Sequence, residues 1–353
     1  MSHQCNEIGP TSSARRHGFR AALAGETAAF RTLIGQEKAK EMLRRAGSGG
    51  RLSHAYLFRG PAGVGKKRAA LAFAAALNCL NPEGGDACGT CASCRKLAAG
   101  SHPDFTAVLP EGAAIKIGQI RALKQALGFP PLEARCRVVL LAEVHTMRRE
   151  AANSLLKTLE EPPADTLLIL TGDEASAILP TIVSRCQVVP FFPLPYQEVA
   201  AVLEKEGTPP AEAAALATAA EGSLGRARLL AAKELLAFRR EIIATLLPLA
   251  PEDPRAVPAV LALAERAAGL KENLPELLAL LKIWLRDLVL LAGGMDPSQA
   301  ASRDLADLLP AAARRWPPEQ LLARLDRITE AGRHLHRNCN RAAVCEVLFF
   351  SLL

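Results

Sequence analysis

Residues 51–67 read RLSHAYLFRGPAGVGKK, an apolar run that breaks into a glycine-spaced turn and then meets two lysines. Gly60, Gly65 and Lys66 satisfy G-x-x-x-x-G-K, with Gly63 inside the turn, an apolar strand pattern before it and a helical pattern after it. Glycines let backbone amides curl around phosphate oxygens, the helix N-terminus adds positive potential, and the lysine reaches the outer phosphates. The stretch therefore predicts a phosphate cradle at the head of an α/β nucleotide fold. A plain glycine-rich turn joining strand to helix is the bland alternative.

Short apolar runs and helical patterns alternate on both sides of this loop, as a largely parallel sheet requires. Strands are predicted at Ala55–Phe58, Phe105–Leu109, Val138–Leu141, Leu167–Leu170 and Gln187–Phe191. Helices are predicted at Glu37–Arg45, Lys66–Leu77 and Ile117–Leu127, the last with Ile120, Leu123 and Leu127 on one face. After FFPLPYQEV (191–199) the sequence turns Ala- and Leu-rich, and Pro193 and Pro195 interrupt regular structure at the change. The expected organisation is a flexible extension over 1–29, an α/β domain over 30–195, a small all-α lid over 196–235 and an all-α bundle over 236–353.

Hydrolysis asks for more than a cradle. The residue after the loop lysine ordinarily gives a hydroxyl to Mg²⁺, and an acid at the tip of a later strand holds the ion from the other side. Lys67 occupies the first place, and in RVVLLAEVHTM (137–147) the strand runs into Ala142 and Glu143, with a methyl group where the metal-holding Asp belongs. Both protein contacts to the metal are missing together. Nucleotide binding is expected to be weak or absent, Mg²⁺ is not expected, and Glu143 survives as a water-orienting vestige. Lys67 is placed in sequence to bring its ammonium to the metal position and so permit nucleotide binding without a metal.

Cys79, Cys88, Cys91 and Cys94 are spaced C-x8-C-x2-C-x2-C. Four thiolates suit a closed, tetrahedral, structural Zn²⁺ site. An iron–sulfur cluster is the rival, because the C-x2-C-x2-C core overlaps ferredoxin spacing, although the fourth cysteine lies upstream and no C-P follows. Unligated thiols are the third possibility. Cys5, Cys136, Cys186, Cys339 and Cys345 are isolated and read as packing or surface residues. Nine cysteines, an odd number with four at ligand spacing, argue for a reducing, cytoplasmic home rather than a disulfide framework.

The net charge of +7 permits contact with nucleic acid without requiring it, and aromatics at 4% leave no stacking platform. Within the first 29 residues Arg15, Arg16 and Arg20 accompany no apolar stretch of signal-peptide length, and no run in the chain approaches a membrane span. In LPTIVSRCQVV (179–189) Arg185 precedes the last strand; an arginine in a loop is by itself usually a solvated charge.

AANSLLKTLEEPP (151–163) followed by TLLILTGDEASAILPTIVSRCQ (166–187), with LIGQEKAKEML (33–43) and the opening stretch, closely resembles the clamp-loader branch of the AAA+ family. The resemblance covers most of residues 30–195, including the four-cysteine insertion, and is far more specific than the loop alone. It implies a RecA-like fold with a zinc module, a helical lid, and a helical collar through which five subunits form an open ring. It also implies gamma or tau and delta subunits of DNA polymerase III as partners, with the sliding clamp and primed DNA reached through the complex. Ser184, Arg185 and Cys186 match the branch's S-R-C motif, which implies that Arg185 acts as a finger in a neighbour's ATP site. Thr171 falls near the polar sensor after the fourth strand, and Arg226 in GSLGRAR falls where the lid carries its sensor arginine. Lys67 and Ala142 depart from the hydrolysing subunits of the branch; an active, gamma- or tau-type motor is the alternative.

Overall fold

The computed structural model describes residues 28–49, 52–112, 114–173, 178–232, 234–337 and 339–353. Cys5, Arg15, Arg16, Arg20 and all but the last two residues of the expected N-terminal extension lie outside the described residues. Of those two, Ala29 is buried and packs beside Cys79, Cys94 and Leu97. The chain divides into two compact units after Pro193.

The first unit holds a five-stranded, wholly parallel sheet in the order β2-β3-β4-β1-β5. Its strands are β1 (Ala55–Arg59), β2 (Phe105–Val108), β3 (Arg137–Leu141), β4 (Thr166–Gly172) and β5 (Gln187–Pro190), each within two residues of its sequence expectation. Helices α1 (Glu37–Ser48), α2 (Lys66–Leu77), α3 (Ala92–Ala98), α4 (Ile117–Ala126), α5 (Arg149–Glu160) and the short α6 (Pro180–Val183) connect them. The three central strands read as continuous apolar runs because both faces of a parallel sheet are covered. Tyr56, Phe58, Val138, Leu140, Leu167 and Ile169 pack on one face against Leu43 of α1 and Phe73 of α2. Ala55, Leu57, Val139, Leu141, Leu168 and Leu170 pack on the other against Ile120 and Leu123 of α4 and Leu155 and Leu159 of α5.

Sheet order and register position the site. Arg59 pairs with Gly172, so β1 and β4 end level, and Leu141 pairs with Leu170, so β3 ends two residues earlier and the residues that follow it, Ala142 and Glu143, come beside the end of β4. The loop after β1 therefore faces the first residues beyond β4 and β3, in the crevice at the carboxyl ends of the strands where open α/β sheets take their ligands.

The second unit, Leu194–Leu353, is all helical. Helices α7 (Tyr196–Lys205), α8 (Pro210–Ala219) and α9 (Leu224–Ala231) come first; their breaks fall at the GTPP and EGSLG stretches, where Pro and Gly end a helix. Helices α10 (Leu235–Leu246), α11 (Ala256–Ala268), α12 (Leu274–Ala292), α13 (Leu309–Arg315), α14 (Pro318–His336) and α15 (Arg341–Leu352) follow. The apolar face of α12 (Leu277, Leu281, Trp284, Leu288) forms the spine of one large core. Trp284 meets Trp316 edge to face at 5.6 Å between ring centroids. Among the described residues no helix is long and apolar enough to cross a membrane.

Candidate functional site

The cradle begins where β1 stops. A Cβ at Gly60 would lie 2.1 Å from the Phe191 carbonyl oxygen, so only glycine lets the loop leave the sheet here. Gly65 caps α2 at φ 105°, a left-handed turn that swings the helix N-terminus across the strand ends; Gly63 also has positive φ. The backbone N–H of Gly60 donates to the Gly172 carbonyl at 3.2 Å, pinning the loop to β4. Lys66 is buried, and its Nζ turns back along the loop, donating to the carbonyls of Gly60 and of Pro61 (2.7 Å) and to Asp173 Oδ1 at 3.0 Å. Burial lowers the pKa of this ammonium, and the Asp173 carboxylate opposes that shift.

Across β4, Ala142 is fully buried and Glu143 takes a left-handed conformation (φ 58°) that turns its side chain out of the strand direction. Thr171 is buried, and its hydroxyl accepts the Glu143 backbone N–H at 3.0 Å. Its role visible here is to hold Glu143 in that turn. Lys67 Nζ donates to Glu143 Oε1 at 2.6 Å. The structure thus brings Gly60, Gly63, Gly65, Lys66, Lys67, Glu143 and Thr171 to one end of the sheet.

These residues do not fit Mg²⁺. The ion wants oxygen ligands in near-ideal octahedral geometry, and Lys67 offers three N–H donors and no lone pair. Ala142 has no oxygen to give, and the carboxylate next to it, Glu143, already holds the lysine cation. A dication brought to this place would meet an ammonium.

Two partners were not foreseen. Asp173 is the anion that engages Lys66, and its Oδ2 also lies 3.7 Å from His145 Nε2, while His145 Nδ1 accepts the Asp173 backbone N–H at 3.4 Å. Glu160 at the end of α5 pairs with Arg185 Nη2 at 2.5 Å. Arg185 also donates to the Thr181 carbonyl (3.0 Å) and to Ser184 Oγ (3.3 Å), and its side chain remains one-third exposed. Cys186 beside it is half-buried, and burial pushes its thiol up to about 12, which makes it packing rather than chemistry.

The four cysteines converge. Their Sγ atoms all lie within 4.8 Å of one another, with Cys79 and Cys94 at 3.8 Å. A tetrahedral ion with Zn–S bonds of about 2.3 Å has sulfur–sulfur edges of about 3.8 Å, so the donor set fits. Backbone N–H groups of Cys88, Cys91 and Cys94 donate to the sulfurs of Cys79, Cys88 and Cys91 at 3.3 to 3.5 Å, the bonding a thiolate accepts. Donors from Thr90 and Cys91 bring the Cys88 thiol down to about 6. Asp86, also unforeseen, accepts the N–H groups of Phe30 (2.8 Å) and Arg31 (3.0 Å), and the Arg31 guanidinium holds the carbonyls of Ala87 and Cys88. The module is thereby tied to the first described turn of the chain.

Arg226 lies in the second unit. Ser223 caps α9 by accepting the Arg226 N–H, and the guanidinium is taken by Glu276 of α12 at 2.7 Å.

Residues 35–195 match the family described as DNA polymerase III, delta subunit. DNA polymerase III subunit delta′ of Bacillus subtilis is 45% identical over 145 residues, which cover 41% of this chain and 44% of that protein. Subunit delta′ of Pseudomonas aeruginosa is 47% identical over 148 residues, covering 40% and 44%. This part of the chain is similar to delta-prime subunits. Subunit tau of B. subtilis is more distant, 38% identical over 178 residues that cover 50% of this chain and 31% of tau. The matched segment spans less than half of each delta′ relative.

The family match contains the cradle, the four cysteines, Asp173 and Arg185, and it ends where the helical unit begins. Arg226 lies outside it.

Proposed function

We propose that the chain is a clamp-loader subunit of the delta-prime type, which does not hydrolyse ATP itself and lends Arg185 to the ATP site of a neighbouring gamma or tau subunit. In this reading residues 30–195 are the RecA-like AAA+ domain, 196–235 the lid and 236–353 the collar that joins gamma or tau and delta subunits in a five-membered ring. The ring opens the sliding clamp and places it on primed DNA, and Zn²⁺ at Cys79, Cys88, Cys91 and Cys94 stiffens the first domain. Arg226 would be a remnant of the sensor arginine, engaged by Glu276 instead of a phosphate.

One observation carries the reading: Lys67 Nζ lies 2.6 Å from Glu143 while Ala142 offers no ligand, so the cradle lacks the means to hold the metal on which phosphoryl transfer depends. Arg185 supports it from the other side, since a partly exposed guanidinium held by a solvated carboxylate is available to a partner's phosphate.

The rival is a gamma- or tau-type motor, favoured by the 38% identity to B. subtilis tau. Rigorously purified chain supplied with Mg²⁺-ATP separates the two. The proposal expects no turnover above that of Lys66→Ala, together with a stable complex on mixing with gamma or tau and delta subunits. Turnover that vanishes in Lys66→Ala would establish the motor instead.

A further inference from the structure

The misfit between the cradle and Mg²⁺ has a chemical complement. The carboxylates at the strand ends, Asp173 and Glu143, are each matched by one lysine, Lys66 at 3.0 Å and Lys67 at 2.6 Å. The first intrahelical bond of α2 runs from Ala69 N–H to the Gly65 carbonyl, which leaves the N–H groups of Gly65, Lys66 and Lys67 without an intrahelical acceptor. The loop therefore combines unsatisfied helix-end donors with two ammonium groups and needs no third cation to attract a polyanion.

We infer that Lys67 replaces the divalent metal, so that the cradle takes the phosphate chain of a nucleotide as the free anion, with Asp173 as the internal competitor that the phosphate must displace from Lys66. Three facts specify the arrangement. Lys67 follows Lys66 directly, and the register of β1, β4 and β3 brings its ammonium to Glu143 at the strand end where a metal would otherwise be held. A lysine is a compact point charge that can bind phosphate oxygens on its own. Lys67 and Glu143 are both about two-fifths exposed, so their pair is solvated and yields readily to a polyphosphate. Asp173 is also in part exposed, whereas the Lys66 side chain it faces is buried, so leaving Lys66 frees a desolvated ammonium for the incoming anion. A metal-complexed nucleotide, already partly neutralised and carrying its own dication, is the poorer ligand for such a site.

The test is a calorimetric titration of the isolated chain with ATP, once with EDTA, the zinc content being verified as retained after the titration, and once with excess Mg²⁺. Wild type is expected to bind in EDTA at least as tightly as in Mg²⁺. Lys67→Thr, which restores the hydroxyl, and Lys67→Gln, which keeps the stem without the charge, should each weaken binding in EDTA by roughly tenfold, the loss of one charge-assisted contact. Asp173→Asn should tighten it about fivefold by removing the competitor. Binding that requires Mg²⁺, or that is indifferent to Lys67 in EDTA, would overturn the assignment. So would the absence of binding by both wild type and Asp173→Asn at about 1 mM ATP. Because the isolated chain suffices, failure here is distinguishable from failure to assemble with clamp-loader subunits.

Discussion

If Arg185 serves a neighbour's ATP site, it must first leave Glu160, and the structure sets how much that costs. The pair is short, 2.5 Å, yet the side chains are 35% and 47% exposed, so water and salt screen the attraction and both chains keep rotamer freedom when released. Exposed pairs of this kind contribute about 0–1 kcal/mol. Glu160→Gln keeps the shape and removes the charge, so it can raise the fraction of freely available Arg185 by at most about fivefold. In a complex reconstituted with gamma or tau and delta subunits, ATP hydrolysis with Glu160→Gln should be unchanged or up to about fivefold faster at low salt, and the difference should shrink at high salt. Arg185→Ala should slow the same reaction by about 10³-fold or more without dispersing the complex. A loss of hydrolysis in Glu160→Gln as large as that in Arg185→Ala would refute this reasoning, because Glu160 would then be required for catalysis rather than holding the arginine at rest.

Other consequences follow from the same structure. Chain prepared without chelator should contain about one zinc per molecule, and stripping it should lower the melting temperature by roughly 6–12 °C if about 3 kcal/mol of binding free energy is lost; visible absorbance from a bound iron cluster would contradict the zinc assignment. Asp104 is buried and accepts N–H groups from Leu132 (2.8 Å), Glu133 (2.9 Å) and Ala134 (2.9 Å), with Arg137 at 3.4 Å; burial alone would raise its pKa, but these donors together hold the carboxyl below the usual range. Its contribution to stability is therefore complete above about pH 4 and is lost as pH falls through the lower folded-state value, so the gap between wild type and Asp104→Asn in denaturant melts should close in acid. Arg239 is fully buried against Asp304 at 2.5 Å. Arg239→Ala should cost about 3–5 kcal/mol, while Arg239→Met combined with Asp304→Leu should cost far less, because no charge is then left alone in the core.

How much of this was legible in the sequence depended on distance along the chain. The strands were readable because each central strand of a covered parallel sheet is an apolar run, and the loop because glycine spacing, positive φ and the following helix are local requirements. The four cysteines span only residues 79–94, and metal ligation constrains just such short spacings. Asp173 was not legible as the partner of Lys66: 107 positions separate them, and only the placement of β4 beside β1 brings them together. Asp86, 56 positions from Phe30, escaped for the same reason, as did Glu160, whose meeting with Arg185 depends on how α5 packs beside α6. Lys67 and Ala142 were each visible as departures, but the ion pair that gives them a common meaning required Glu143 in its left-handed turn.

The central claim is that this chain's cradle is dispensable for hydrolysis while its arginine is not. The most direct measurement is single-turnover ATP hydrolysis by the reconstituted complex carrying Lys66→Ala in this chain alone, beside one carrying Arg185→Ala. Hydrolysis close to wild type with Lys66→Ala and nearly abolished with Arg185→Ala is the predicted result; loss of hydrolysis with Lys66→Ala in a complex that still assembles would contradict it.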